Sequence, residues 1–161
     1  MNPYQNILTS SPAKRALFYL FACLVSFFLI SMGNGPTVVL LLLLACIFIF
    51  RLLYNTLRIK DYKQTIAVAL ENHLEPTWGY GKKGFLLVDP EKRLLVCNGK
   101  LIPFDNIQSV KAQSQTTFIA PACTIMFSEQ NGGTTVFGVR SQNEQESLMD
   151  RLSADTGFQP A

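Results

Sequence analysis

Hydrophobic positions change period along the chain. From Ala16 to Met32 they run without a charge, and from Thr37 to Tyr54 they are broken only by Arg51. From Ile59 to His73 apolar residues recur at steps of three and four. Between Gly84 and Val139 they fall in short runs separated by turn residues, and Leu148, Met149 and Leu152 restore the helical step near the C-terminus. These patterns predict two uniformly apolar helices, one amphipathic helix, a set of short strands and a closing helix.

The two uniform runs are about seventeen and eighteen residues long, the second if Arg51 extends its stem toward the headgroups. At about 1.5 Å per residue each reaches roughly 26 Å, near the lower limit for crossing a bilayer core. Segments apolar on every face cannot be covered by the chain that remains, which argues against buried helices of a soluble protein. Lys14 and Arg15 before the first run resemble the basic start of a signal peptide, but Ser31-Met32-Gly33 is a poor cleavage site, so a retained span is expected. Gly33-Asn34-Gly35-Pro36 then forms the turn of a hairpin. Ala22, Ser26, Gly33, Ala45 and Cys46 are the small residues that would allow close helix packing.

No Gly or Pro interrupts the chain from Thr37 to Glu75, so one continuous helix is expected from about Pro36 to Leu74, stopped by Pro76. Its amphipathic stripe is Ile59, Tyr62, Ile66, Ala69 or Leu70, and His73. The stripe has two readings: a face packed on the same chain's β domain, or a seam with another helix.

Six strands are predicted: Gly84–Val88, Arg93–Cys97, Lys100–Phe104, Ile107–Gln113, Cys123–Ser128 and Thr134–Val139. Asn98-Gly99 is a two-residue hairpin signal, Asn131-Gly132-Gly133 marks a second turn, and Thr116–Pro121 is a longer connection. Ser141 and Glu144 form a capping box for the last helix, with Gly157 at its C-cap. The order is that of an antiparallel meander closed by a helix.

The segment GFLLVDPEKRLLVCNGKLIPFDNIQSV resembles bacterial pleckstrin-homology-like (PH-like) domains, most closely in Ile102-Pro103-Phe104 with Ile107 and Val110. Over residues 78–157 this resemblance implies a small antiparallel β-barrel with a C-terminal helix, a scaffold whose members bind lipids, peptides or one another. The expected fold is thus an α+β membrane protein, a two-helix transmembrane hairpin followed by a PH-like domain.

Charge sets the expected topology. Up to Lys63 there are six basic residues and one acid, whereas residues 76–161 carry eight of each. The positive-inside rule places both termini in the cytoplasm of a bacterial inner membrane. The chain then divides into an N-terminal segment (1–15), a hairpin (16–57, with spans 16–32 and 37–54), an amphipathic linker (58–75) and a cytoplasmic domain (76–161). A neutral domain argues against nucleic acid as a partner. Membrane lipids, a second copy and other membrane subunits remain. Arg51, Arg58, Lys60, Trp78, Lys82, Lys83, Lys92 and Arg93 are the candidate membrane-surface contacts. For Trp78 in Trp78-Gly79-Tyr80-Gly81 a core role is the stronger expectation, with the Gly-rich stretch as a membrane-surface anchor or a hinge the other reading.

Candidate chemistry is sparse. The four cysteines form no C-x-x-C and are expected as free thiols. His73 is a single histidine near a helix end, expected to be structural. Asp89, Glu91 and Asp105 sit in turns, where carboxylates bond local backbone. No nucleotide, hydrolase or metal motif is present, so no enzyme activity or cofactor is expected. Two function classes follow: a non-enzymatic accessory or scaffold protein working by protein–protein contact, or a module binding lipid headgroups through Lys82, Lys83, Lys92 and Arg93.

Overall fold

A computed structural model of the chain describes residues 4–8, 12–33, 36–116 and 121–157. The elements are α1 (Tyr4–Ile7), α2 (Pro12–Met32), α3 (Pro36–Glu71), seven strands and α4 (Gln142–Thr156). The strands are β1 (Trp78–Tyr80), β2 (Leu86–Asp89), β3 (Leu94–Cys97), β4 (Lys100–Pro103), β5 (Ile107–Thr116), β6 (Pro121–Glu129) and β7 (Thr134–Val139). The chain divides into two compact units, Ser10–Tyr62 and Met1–Thr9 with Lys63–Ala161.

The first unit holds two helices long and apolar enough to cross a membrane. One set of their buried and half-buried positions follows a single rhythm: Ala16, Tyr19, Cys23, Ser26 and Ile30 in α2, and Val38, Leu41, Ala45, Phe48, Leu52 and Asn55 in α3. Alternating steps of three and four make a seam repeating every 3.5 residues, the spacing of left-handed helix pairs. Tyr19 and Phe48 meet across it with ring centroids 6.4 Å apart. Small residues sit where contact is tightest: Ala45 is 2% exposed, Cys23 5% and Ser26 6%. Of the small residues expected at this contact, Ser26 and Ala45 are buried while Cys46 faces outward. Asn34 and Gly35 of the expected turn lie outside the described residues. Leu17, Phe18, Phe21, Leu24, Phe28, Leu43, Phe50 and Leu57 turn away from the seam and are exposed.

In the second unit the strands form two antiparallel sheets, β1-β2-β3-β4 and β5-β6-β7, rather than one closed ladder. The meander order is that expected, with β1 as a seventh strand. Residues 117–120 of the β5–β6 connection lie outside the described residues. Asn98 and Gly99 both take positive φ, as a two-residue hairpin requires. Between β4 and β5 the chain turns through a short 3-10 segment, Phe104–Asn106.

Register assigns each residue of the four-stranded sheet to a face. Trp78, Val88, Leu95 and Ile102 stand opposite one another in one row, and Gly79, Leu87, Val96 and Leu101 in the next. The first row belongs to a core shared with Phe104, Val110, Ile125, Phe127, Phe137, Leu148 and Leu152. Leu87 and Val96 of the second row are also fully buried. This sheet is therefore covered on both sides. Its outer layer is the Tyr4–Leu8 segment and the last turns of α3, where Thr65, Ile66 and Ala69 are buried and Gln64 lies against Gly99.

Tyr4–Leu8, within the N-terminal segment 1–15, belongs to the β unit: Tyr4 and Leu8 are 6% and 1% exposed, and Tyr4 Oη donates to Leu74 O at 2.8 Å. The long helix stops at Glu71, not at Leu74. Leu74 N donates to Ala69 O and His73 N to Leu70 O, with His73 at φ 49, the paired bonds of a Schellman motif. Pro76 lies beyond this stop and does not cause it.

Filling the tight seam is expected to weaken the helix pair. Ala45→Phe should destabilise it by about 1–3 kcal/mol, since an inserted side chain forces the helices apart. Cys46→Phe, one residue on and outward-facing, should not. Loss of helical circular dichroism on titrating SDS into the detergent-solubilised protein measures both.

Candidate functional site

Around the β unit lie three polar clusters and one cleft. At the end of β1, Tyr80 Oη donates to Glu144 Oε2 at 3.0 Å and accepts from Arg140 N at 2.9 Å, while Lys82 pairs with Glu144 Oε1. Burial works to raise the Glu144 carboxyl, but Lys82 and Tyr80 hold it below the ordinary range. The expected capping box is thus half formed. Ser141 accepts from Glu144 N, whereas the Glu144 carboxylate serves Tyr80 and Lys82. At the other end of α4, Trp78 Nε1 donates to Asp155 Oδ2, and Arg151 lies 5.1 Å over the indole ring.

The second cluster joins the two sheets. Lys100 Nζ pairs with Glu129 Oε1, and Thr135 Oγ1 donates to the same oxygen at 3.0 Å. Glu129 is 5% exposed, and its hydrogen bond from Lys100 holds its carboxyl below the usual range.

A third arrangement is structural. Asp89, fully buried, accepts from Glu75 N at 2.7 Å and Lys92 N at 3.1 Å, closing its own turn and fastening the chain that enters β1. Asp105 pairs with Arg93 at 2.9 Å on the surface, a contact worth at most about 1 kcal/mol. Gln145 is 2% exposed and anchors α4, donating to Gln113 O and Thr124 O and accepting from Ser114 Oγ.

The structure separates the residues proposed for membrane contact. Lys82 and Lys83 precede β2, and Lys92 and Arg93 follow it. A four-residue strand puts about 10 Å of backbone between the pairs, so they form no single anion site. Lys82 is committed to Glu144, Lys92 donates to His73 O, and Arg93 pairs with Asp105 and lies over Phe104. Lys83 is exposed. Trp78 is 7% exposed in the core, so it is not presented as a surface anchor. In α3, Arg51 and Lys60 are exposed, while Arg58 is 8% exposed and stacks on Tyr54 at 5.6 Å.

An open cleft of about 430 Å³ adjoins the N-terminal segment. Tyr4, Ile7, Leu70, Leu74 and Pro76 supply apolar walls, with His73 and Glu75 as its titratable groups. Its size is that of a small-ligand pocket, yet His73 and Glu75 are exposed, and the Tyr4 hydroxyl is engaged with Leu74 O. His73 owes its place to backbone geometry, at the left-handed position usually taken by Gly. Among the described residues no cluster of His, Cys, Asp or Glu could hold a metal. The Cys97 thiol is buried and pushed up to about 12, which makes it a poor nucleophile.

Sequence reasoning missed the partners of Gly79 and Gly81. The alternation of aromatic and glycine in Trp78–Gly81 was the available signal. It marks a strand with large residues inward and no side chain outward, where Ile7 and Leu8 lie. In comparisons with protein-family models, with curated proteins and with solved structures, nothing matches this chain.

Two outcomes are expected of these groups. Because Glu129 titrates lower folded than unfolded, its contribution is present above the ordinary carboxylate pKa and is lost as pH falls through the lower folded value. Glu129→Gln should cost on the order of 1–2 kcal/mol at neutral pH, with Lys100 half exposed, and the gap should narrow below about pH 4. Denaturant titrations followed by Trp78 fluorescence at several pH values measure it. His73→Gly should be neutral to about 1 kcal/mol stabilising, as the left-handed strain is relieved. The same titration at neutral pH decides this; a clear loss of stability would mean the imidazole itself holds the fold.

Proposed function

We propose that this chain is a non-enzymatic accessory or scaffold protein of a bacterial inner-membrane assembly. In this reading α2 and α3 form a transmembrane hairpin with both termini cytoplasmic. The β unit, a PH-like domain, makes protein–protein contacts at the membrane face. One observation carries it: the division of exposed apolar surface between the units. Among the described residues, the exposed large hydrophobic side chains lie on α2 and α3 as far as Leu57, apart from Leu70 and Val136. The helices thus offer a lipid-compatible surface, and the β unit a polar one around a sealed core.

Protein contact is favoured over lipid headgroups by the basic side chains. A headgroup site needs converging cations, and the pairs Lys82/Lys83 and Lys92/Arg93 lie at opposite ends of β2 with three of the four committed to partners. The positive excess before Lys63 supports the orientation.

Purification from native membranes in mild detergent, followed by mass measurement of the complex, tests the proposal. A defined assembly larger than one 18.0 kDa chain, with itself or with other subunits, is expected. A lone monomer would overturn it and turn attention to lipid headgroups.

A further inference from the structure

The Tyr4–Leu8 segment sits on the β unit in the manner of a bound peptide. Its turn packs against β1 and the adjoining Gly81 through the Ile7 side chain and the Leu8 backbone, and the Tyr4 hydroxyl donates to the Leu74 carbonyl. The receiving surface is built by what β1 lacks. A Cβ on Gly79 would stand 2.8 Å from Ile7 Cγ2, and one on Gly81 would stand 3.3 Å from Leu8 Cα. Gly79 within β1 and Gly81 just past its end leave this side of the chain bare, so the segment's own backbone and side chains fill that space. Leu8 is 1% exposed there, and Tyr4 6%.

We propose that the outer face of β1 is a recognition site for a short apolar segment of the form Tyr-x-x-Ile-Leu. In this chain it is filled by residues 4–8, and it is open to exchange with the same segment of a second copy. Three anchoring side chains define the fit: the Tyr4 ring with its hydroxyl on Leu74 O, Ile7 over Gly79, and Leu8 over Gly81. Exchange is favoured because ordering five residues opposes the burial of only three side chains, leaving a small net gain that a competing copy can match. The open cleft beside Tyr4 and Ile7 leaves one flank of the seated segment accessible. A second copy offers identical chemistry, the condition for segment exchange between protomers. The inference names a partner for the assembly reading but stands on the segment's geometry. An assembly that persists without exchange would leave that reading intact and sink only this one.

Gly81 supplies a selective probe. The nearest atoms to an added Cβ all belong to Leu8, whereas at Gly79 they include Leu86 O of the neighbouring strand at 2.7 Å. Gly81→Val therefore obstructs the segment with the sheet intact, and Gly79 substitutions would damage the sheet itself.

The experiment uses the full chain with a protease site inserted after Thr9, cut once the protein is folded in detergent. A fluorescent peptide of residues 1–9 is then added and its anisotropy followed. The expected result is that the cut segment co-elutes with the protein and is displaced saturably by the peptide. Gly81→Val should weaken peptide binding at least tenfold with Trp78 fluorescence unchanged. Immediate loss of the cut segment with no binding of the peptide would overturn the proposal. Retention of the cut segment without exchange would also overturn it, as would equal binding by Gly81→Val. Should Gly81→Val perturb Trp78 fluorescence, a peptide carrying Leu8→Asp replaces it as the test, and undiminished binding of that peptide overturns the proposal.

Discussion

The β unit is organised by a four-stranded sheet that is apolar on both faces. Leu86 and Val88 point one way from β2 and Leu87 the other, and all three are fully buried. Fully burying a side chain of this size is worth roughly 1.5–3 kcal/mol, so neither face can be left to water. Two covers follow. The inner one is the three-stranded sheet with α4, and the outer one is assembled from pieces distant in sequence, Tyr4–Leu8 and the last turns of α3. The requirement explains why the end of a long helix and the N-terminal segment belong to the same body as the strands.

Polar groups lock these covers in place. Tyr80, Lys82 and Arg140 converge on the first turn of α4 around Glu144, and Trp78 with Arg151 and Asp155 holds its last. Lys100, Glu129 and Thr135 tie the two sheets together, and Asp89 fastens the chain between α3 and β1. Most charges on this unit thus have internal partners. Lys82, Lys92 and Arg93, from the two basic pairs seen in the sequence, are among the charges held this way.

The helical unit obeys a different constraint. In a lipid-like environment burial of apolar surface gives helices little reason to associate, so close packing must supply the attraction. The seam through Ala16, Cys23, Ser26 and Ala45 provides it, with larger residues outward. Asn55, 4% exposed at the end of the seam, satisfies its amide on Arg51 O at 2.7 Å.

The sequence by itself determined the elements whose causes are local. Runs of residues apolar on every face marked α2 and the first half of α3, Asn98-Gly99 marked a hairpin, and Ser141 with Gly157 bounded α4. Tertiary structure alone decided which faces meet. The α3 stop at Glu71 depends on His73 accepting a left-handed conformation, which no residue preference announces. The use of Glu144 by Tyr80 and Lys82 depends on contacts more than sixty residues apart. Least legible was the site on β1, because a glycine carries no side chain to hint at its partner. Only the fold shows that the space left by Gly79 and Gly81 is filled by Ile7 and Leu8.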